Sequence, residues 1–434
     1  MREVGAHPRP AIAAMRKPWQ LLTARGRIFV ITGIAIVLIS SLAGQRDVMR
    51  IGLLLLALPL IAAFLVARAR LRMSCERSVE PAQVPLGSPM RGRITLGQDG
   101  RLPAGILMLD DAVPRELGPH PRFLVDKADL SWRREVEYPL LGRVRGRFTT
   151  GPLMVRTTDP FGLVSLDRQF VATSDVMVTP QVWPLPTMRT AGGAGSTGEA
   201  RPHRIGVVGQ DDALVREYHQ GDDVRRVHWR STARWGELMV RREEQSWDPS
   251  ASIMLDTRAT AHEGRGMNNS MEWAISAAAS ISTHFLDDGF GIEIYEAEGP
   301  LHIAGSMGQH SSASQQLVIS RLTDLRPRIT STMHYAVEAA TVDRPGQLVI
   351  AIMGRMDAED ASSLLRVRRN RAQGLALMLD VGTFADIEDN ERQANQMDVA
   401  AQILRDNQWR VVRVPRGMSV PEAWSSLEQL GAPV

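Results

Sequence analysis

Ala251-Ser-Ile-Met-Leu-Asp-Thr-Arg-Ala-Thr260 opens on a short apolar run and then breaks into polar residues at an aspartate. A run of that length, with no polar alternation, suits a strand buried on both faces of a parallel sheet. The residues downstream repeat a pattern. Met271 to Phe285 reads as a helix, with Met271, Ala274, Ile275 and Ala278 on one face. Gly291–Tyr295 is a strand, Ser314–Leu325 a helix, Gln347–Ile352 a strand, and Asp357–Arg371 a helix. Gly374–Leu379 and Trp409–Val414 are further strands, separated by a helix over Glu391–Asn407 and followed by one over Val420–Leu430. Strands that alternate with helices predict an α/β doubly wound, mostly parallel sheet over residues 251–434. Ligands of such sheets bind at the carboxyl ends of strands, and Asp256 stands at one.

Immediately upstream, residues 206–250 hold the densest mixture of charge and aromatics: Arg216-Glu-Tyr-His-Gln-Gly-Asp-Asp-Val-Arg-Arg-Val-His-Trp229, continuing through Arg234, Trp235 and Gly236. Gly221, Asp222 and Asp223 form a turn that would cap a short helix from Val224 to Trp229, and Gly236 ends the helical stretch. Arg225, Arg226, Arg230 and Arg234 fall near Glu217, Asp222 and Asp223, which suits bidentate ion pairs. Two readings stay open, a self-satisfied salt-bridge network and a recognition surface for a partner. Within either, Trp229 is expected in the core, and Arg225, Arg230 and Arg234 outside.

Residues 187–205 read as a flexible linker. Gly193, Gly195 and Gly198 have the spacing of a dinucleotide fingerprint, but no strand precedes them and no amphipathic helix follows. Residues 69–186 read as a small β-sandwich or barrel, with strands at Arg91–Leu96, Arg134–Tyr138, Arg143–Phe148, Leu153–Arg156 and Leu163–Leu166 separated by Gly and Pro turns. Asp159-Pro-Phe-Gly-Leu163 is a tight turn expected to return Phe161 and Leu163 to the core.

Two uncharged runs, Ile28–Gly44 and Ile51–Ala67, predict a pair of transmembrane helices over residues 28–68. The tail of residues 1–27 holds Arg2, Arg9, Arg16, Lys17, Arg25 and Arg27 against Glu3, and Arg68, Arg70 and Arg72 follow the second run. The positive-inside rule places both flanks, and hence both termini, in the cytoplasm.

Composition narrows the chemistry. Lysine occurs only at Lys17 and Lys127, neither behind the glycines of a P-loop, which excludes a Walker-type nucleotide hydrolase. The single Cys75 excludes disulfide frameworks and cysteine metal clusters within one chain. No histidines are spaced as a metal-ligand pair, and Ala304-Gly-Ser-Met-Gly308 lacks the first glycine of a nucleophile elbow. A net charge of +3 over 434 residues gives no basic face for nucleic acid.

The segment from Arg216 to Trp229, with Arg234, Gly236 and Leu238, closely resembles the signature of the domain of unknown function 58 family. The resemblance extends to Arg145-Gly146, the Asp159–Leu163 turn, the paired spans and Asp256-Thr-Arg258. It implies a bacterial inner-membrane protein with a von Willebrand factor A-like domain that works beside a MoxR-type AAA+ ATPase. The Asp256 segment is similar to the metal-binding Asp-x-Ser-x-Ser of a von Willebrand A domain, but Arg258 replaces the first serine and Thr260 the second. A later aspartate near Met353-Gly-Arg-Met356 is missing. The metal site is therefore expected to be degraded, with no cofactor, Mg²⁺ at Asp256 being the one alternative.

The function expected is a membrane-tethered cytoplasmic adaptor or assembly factor for a MoxR-type ATPase and an unknown client, without catalysis of its own. The alternative is an enzyme of unknown chemistry using the acidic and arginine cluster at 216–238. Nucleic-acid binding is a third reading.

Overall fold

The computed structural model describes residues 21–70, 73–99, 105–127, 131–159, 161–187, 215–218, 227–241, 250–301, 312–342, 348–368, 373–385 and 391–430. Helices α1 (Ala24–Leu42) and α2 (Arg46–Arg70) pack against each other across a turn at Gly44, whose φ is +71°. They touch where side chains are smallest. A Cβ on Gly33 would lie 3.1 Å from the carbonyl oxygen of Gly52, and one on Gly52 equally close to that of Gly33. Such contacts let helix backbones approach without a driving force from water. The outward faces carry Ile28, Leu38, Ile39, Leu54, Leu60 and Phe64, all exposed. Both helices are long and apolar enough to cross a membrane.

Ten strands follow: β1 (Met73–Glu80), β2 (Gln83–Pro85), β3 (Pro89–Asp99), β4 (Gly105–Asp111), β5 (Arg122–Lys127), β6 (Ser131–Leu141), β7 (Gly146–Thr150), β8 (Leu153–Thr158), β9 (Ser165–Phe170) and β10 (Ser174–Thr179). They form sheets of order β1-β3-β6, β2-β10-β7 and β5-β4-β8-β9. The period-two alternation puts Ile94 and Leu96 of β3, Leu107 and Leu109 of β4, Leu153 and Val155 of β8, and Val178 of β10 into one core. The strand expected at Arg143–Phe148 starts only at Gly146, because Arg145 is drawn out of the ladder toward the next domain.

The Asp159–Leu163 turn departs from expectation. Leu163 is buried, but Phe161 is 64% exposed. Leu163 and Val164 do not join the β core. They make a small core of their own with Ala62, against which Leu22, Phe29 and Leu58 of the helical pair and its lead-in pack.

Next come β11 (Val215–Glu217), α3 (Trp229–Trp235) and β12 (Met239–Arg241), with β11 and β12 paired antiparallel. The last region holds β13 (Ser250–Leu255), α4 (Ser270–Asp287), β14 (Gly291–Glu296), β15 (Gly299–Pro300), α5 (Ser312–Asp324), α6 (His334–Val342), β16 (Leu348–Met353), α7 (Ala358–Arg368), β17 (Gln373–Leu379), α8 (Val381–Phe384), α9 (Glu391–Asp406), β18 (Trp409–Val414) and α10 (Val420–Gln429). Its sheet has the order β15-β14-β13-β16-β17-β18, and every pairing except β14–β15 is parallel. Alternate strand residues enter opposite layers. Ile253, Ile350 and Leu377 pack under α4 and α10, and Met254, Ala351 and Met378 under α6, α7 and α9. The chain leaves β13 toward β14 on one side and returns to β16 on the other. The crevice of this doubly wound sheet therefore opens between β13 and β16.

The β region and the α/β region are bolted together. The Arg145 side chain is 4% exposed and donates to the carbonyl oxygens of Leu322 (2.6 Å), Thr323 (2.7 Å) and Leu325 (2.9 Å) at the end of α5, and to Glu272 at 3.0 Å. A cation at a helix C-terminus satisfies carbonyls that have no partner within the helix. Val182, Trp183 and Leu185 pack on the α/β core, and the Trp424 indole donates to the Pro186 carbonyl at 3.1 Å. The expected linker over 187–205 lies outside the described residues beyond Pro186 and Thr187.

Candidate functional site

At the carboxyl end of β13 the Asp256 carboxylate is fully buried. The Arg258 side chain folds back onto it. Its Nε donates to Oδ1 at 3.0 Å and its Nη2 to Oδ2 at 2.8 Å, a bidentate pair. Backbone amides complete the carboxylate's partners, Arg258 to Oδ1 at 3.0 Å and Gly354 to Oδ2 at 3.3 Å. Gly354 has to be glycine here, since a Cβ would sit 2.2 Å from the Ala261 carbonyl oxygen.

The other edge of the guanidinium holds a second carboxylate. Arg258 Nη1 donates to both Asp360 oxygens at 3.0 Å and to the Ser331 carbonyl at 3.3 Å, while Nη2 also reaches the Arg355 carbonyl at 3.1 Å. Burial works to lower the arginine's pKa, but the bonds and charges of Asp256 and Asp360 outweigh it and hold the group above its ordinary value, fully protonated. The Met353–Met356 loop carries no acid, and Asp360 belongs to the first turn of α7. Asp357, the nearer candidate, instead accepts the amides of Glu359 and Asp360 at 2.9 Å and caps that helix. Thr260, the remaining candidate ligand, is exposed on the short helical turn Ala259–Ala261.

A second set of polar groups supports the first. The Thr257 hydroxyl donates to Glu296 at 2.8 Å, and Arg328 grips Glu296 through Nη2 at 2.8 Å and Nε at 3.2 Å. His262 Nε2 donates to the Asp256 carbonyl at 2.8 Å, and its Nδ1 meets the Ser270 hydroxyl at 3.1 Å. Burial lowers the histidine's pKa from its ordinary 6.5, so the ring is neutral. Among the described residues, no group of three or more His, Cys, Asp or Glu side chains is placed to hold a metal ion. The Arg258 guanidinium lies between the Asp256 and Asp360 carboxylates and bonds to both.

The 216–236 segment builds a different surface. Arg216 pairs with Val240 and Glu217 with Met239 across β11 and β12, Tyr218 donates its amide to the Leu238 carbonyl at 2.8 Å, and Val227 bridges to Val240. His228 caps α3, its Nδ1 accepting from the Ser231 amide at 3.3 Å. The helix thus begins at Trp229, where a helix from Val224 was expected to end. Gly236 ends it in the left-handed region at φ +80°, its amide bonded to the Thr232 carbonyl at 2.9 Å. Trp229 was expected in the core; it is 71% exposed, and Trp235 is 72% exposed. Val227 and Val240 take the buried positions instead, because a seven-residue helix lying on a two-stranded sheet has little interior to offer. Arg230 and Arg234 are exposed. Gly221, Asp222, Asp223, Arg225 and Arg226 lie outside the described residues.

The structure therefore joins Asp256 to Arg258 and adds Asp360, Glu296, Arg328 and His262, which no local sequence motif singles out. The sequence profile of the family described as "Protein of unknown function DUF58" matches residues 214–383, from just before β11 into α8. A curated relative, "Uncharacterized protein YeaD" of Bacillus subtilis (strain 168), is 23% identical over 288 residues, covering 64% of this chain and 69% of that protein. Among solved structures, a beta-glucosidase from Listeria innocua in complex with gluconolactone aligns at 11% identity over 24% of this chain and 16% of its own, with a TM-score of 0.15. The alkylpurine DNA glycosylase AlkC of Pseudomonas fluorescens, bound to DNA containing an abasic site analog, aligns at 15% identity over 30% of this chain and 39% of its own, also with a TM-score of 0.15. Superpositions at that score bear on neither fold nor chemistry.

Proposed function

We propose that this chain is a membrane-tethered cytoplasmic adaptor, or assembly factor, that works with a MoxR-type AAA+ ATPase and has no catalysis of its own. Its C-terminal region is then a von Willebrand A-like module in which the Arg258 guanidinium replaces the divalent cation between Asp256 and Asp360. The helices α1 and α2 cross the inner membrane, with both termini in the cytoplasm. The arginine excess on both flanks supports that orientation.

The observation that carries the reading is α3. Two tryptophans stand more than 70% exposed on a helix capped at both ends, beside the exposed Arg230 and Arg234. Tryptophan and arginine dominate the residues that anchor protein interfaces, and a pre-ordered helix lowers the entropy cost of docking. Exposed tryptophans contribute little to folding. Trp229→Ala and Trp235→Ala are thus expected to change stability by no more than about 0.5 kcal/mol. Both together should abolish co-purification of the ATPase with the detergent-solubilised chain. Retention of the ATPase by the doubly substituted protein would refute α3 as the docking element.

A further inference from the structure

We infer that the Phe161–Val164 turn, held by Asp159, is a lipid contact, with the Phe161 ring seated at the headgroup–acyl boundary of the bilayer beside α1 and α2; this rests on the membrane reading proposed above. Depth is the first argument. Leu163 and Val164 pack with Ala62, Leu58 and Phe29. Those three lie inside the uncharged runs 28–44 and 51–67. The turn therefore reaches the level at which the helices become apolar. Contact is close: a Cβ on Gly26 of α1 would lie 2.1 Å from the Leu163 carbonyl oxygen.

The turn's polar backbone is also prepared for low dielectric. Asp159 accepts the amides of Phe161 at 3.0 Å and Val164 at 2.6 Å, and its carbonyl accepts the Gly162 amide at 3.0 Å. The Thr23 hydroxyl donates to the Gly162 carbonyl at 2.6 Å, the Thr23 amide to the Leu163 carbonyl at 3.0 Å, and the Ser165 amide to the Leu21 carbonyl at 2.9 Å. Non-helical backbone survives at membrane depth only when its groups are bonded in this way. Gly162, at φ +68°, allows the chain to turn here.

What the turn then presents is Phe161, fixed in place and 64% exposed, with the exposed Arg25 and Arg27 on the adjacent start of α1. An aromatic ring flanked by arginines matches the bilayer interface, where rings occupy the headgroup level and guanidiniums meet anionic lipid. The contact would hold the β region against the membrane in one orientation.

The test uses the full chain with Cys75→Ser, so that single cysteines can be labelled with an environment-sensitive nitrobenzoxadiazole dye. Phe161→Cys is compared with Ile34→Cys, midway along α1, and with Glu116→Cys, an exposed position beyond the opposite end of β4. Each is reconstituted in phosphatidylcholine–phosphatidylglycerol vesicles carrying doxyl lipids labelled near the headgroup or near the chain end. At position 161 the dye should be blue-shifted and lose most fluorescence to the headgroup-proximal quencher. At 34 the chain-end quencher should dominate, and at 116 neither should act. A dye at 161 that behaves like the one at 116 while 34 is quenched overturns the inference alone. No quenching at 34 removes the membrane reading and the inference together.

Discussion

Arg258 carries Asp256 on one edge of its guanidinium and Asp360 on another, with its side chain only 6% exposed. Removing one member of a buried ionic set strands its partners, at a typical cost of about 3–5 kcal/mol. Arg258→Ala should destabilise the chain by that order in urea unfolding, and Arg258→Lys should recover only part of it, because an ammonium cannot hold two carboxylates by flat, paired bonds. Little or no loss in Arg258→Ala would mean that the cluster is not what secures the β13–β16 crevice. His262 gives a pH prediction at the same scale. Its pKa is lowered by burial in the folded chain, so below the ordinary value of 6.5 the unfolded state binds the extra proton and the folded state does not. Stability is then complete above that pH and falls as the pH drops toward the folded value. His262→Gln should flatten this part of the stability profile, read as melting temperature against pH. Asp256 and Arg258 were legible in the sequence because they are two residues apart at the end of an obvious strand. Asp360 was not, because its role depends on how α7 seats its first turn, which is a matter of helix packing.

The strands and helices of the α/β region followed from short apolar runs alternating with helix-period segments, and those expected from Ser252 to Leu430 occur within a few residues of their expected places. Two helices show what period does not carry. Helix α6 is short, and α3 is too short to display one. Its start is set by the His228 cap, a side-chain bond that a count of apolar residues does not register. Trp229 stands outside for the same reason, since a seven-residue helix on a two-stranded ladder makes no core to receive an indole. The Asp159–Leu163 turn was visible as a turn, but its partner was not, because α1 is more than a hundred residues away in the chain. Its contact with α1 makes a prediction. Gly26→Val should force the turn off the helix, since the first added carbon already meets the Leu163 carbonyl oxygen. Hydrogen exchange at the Thr23 and Ser165 amides, both bonded across this contact, should accelerate. Unchanged protection at both would show that the helix and turn are not held by this contact.

At the scale of the whole molecule, three joints stand out among the described residues. The Phe161–Val164 turn ties the β region to the helical pair, Arg145 ties it to the end of α5, and Trp183 and Pro186 tie the strand exit to α4 and α10. Arg145-Gly146 and Asp159–Leu163, which in the sequence look like isolated motifs, are thus two of the joints. Through them the position of the Asp256 crevice is set relative to α1 and α2. In the adaptor role proposed above, the exposed tryptophans of α3 meet the ATPase partner. That contact is tested most directly by placing a photo-crosslinking amino acid at position 229 of the full-length chain in its native membrane and identifying the adduct. The expected product is an adduct with an AAA+ ATPase subunit, lost when the crosslinker is moved to the buried position 240. An adduct confined to the chain itself, with the ATPase present and the protein folded, would contradict it.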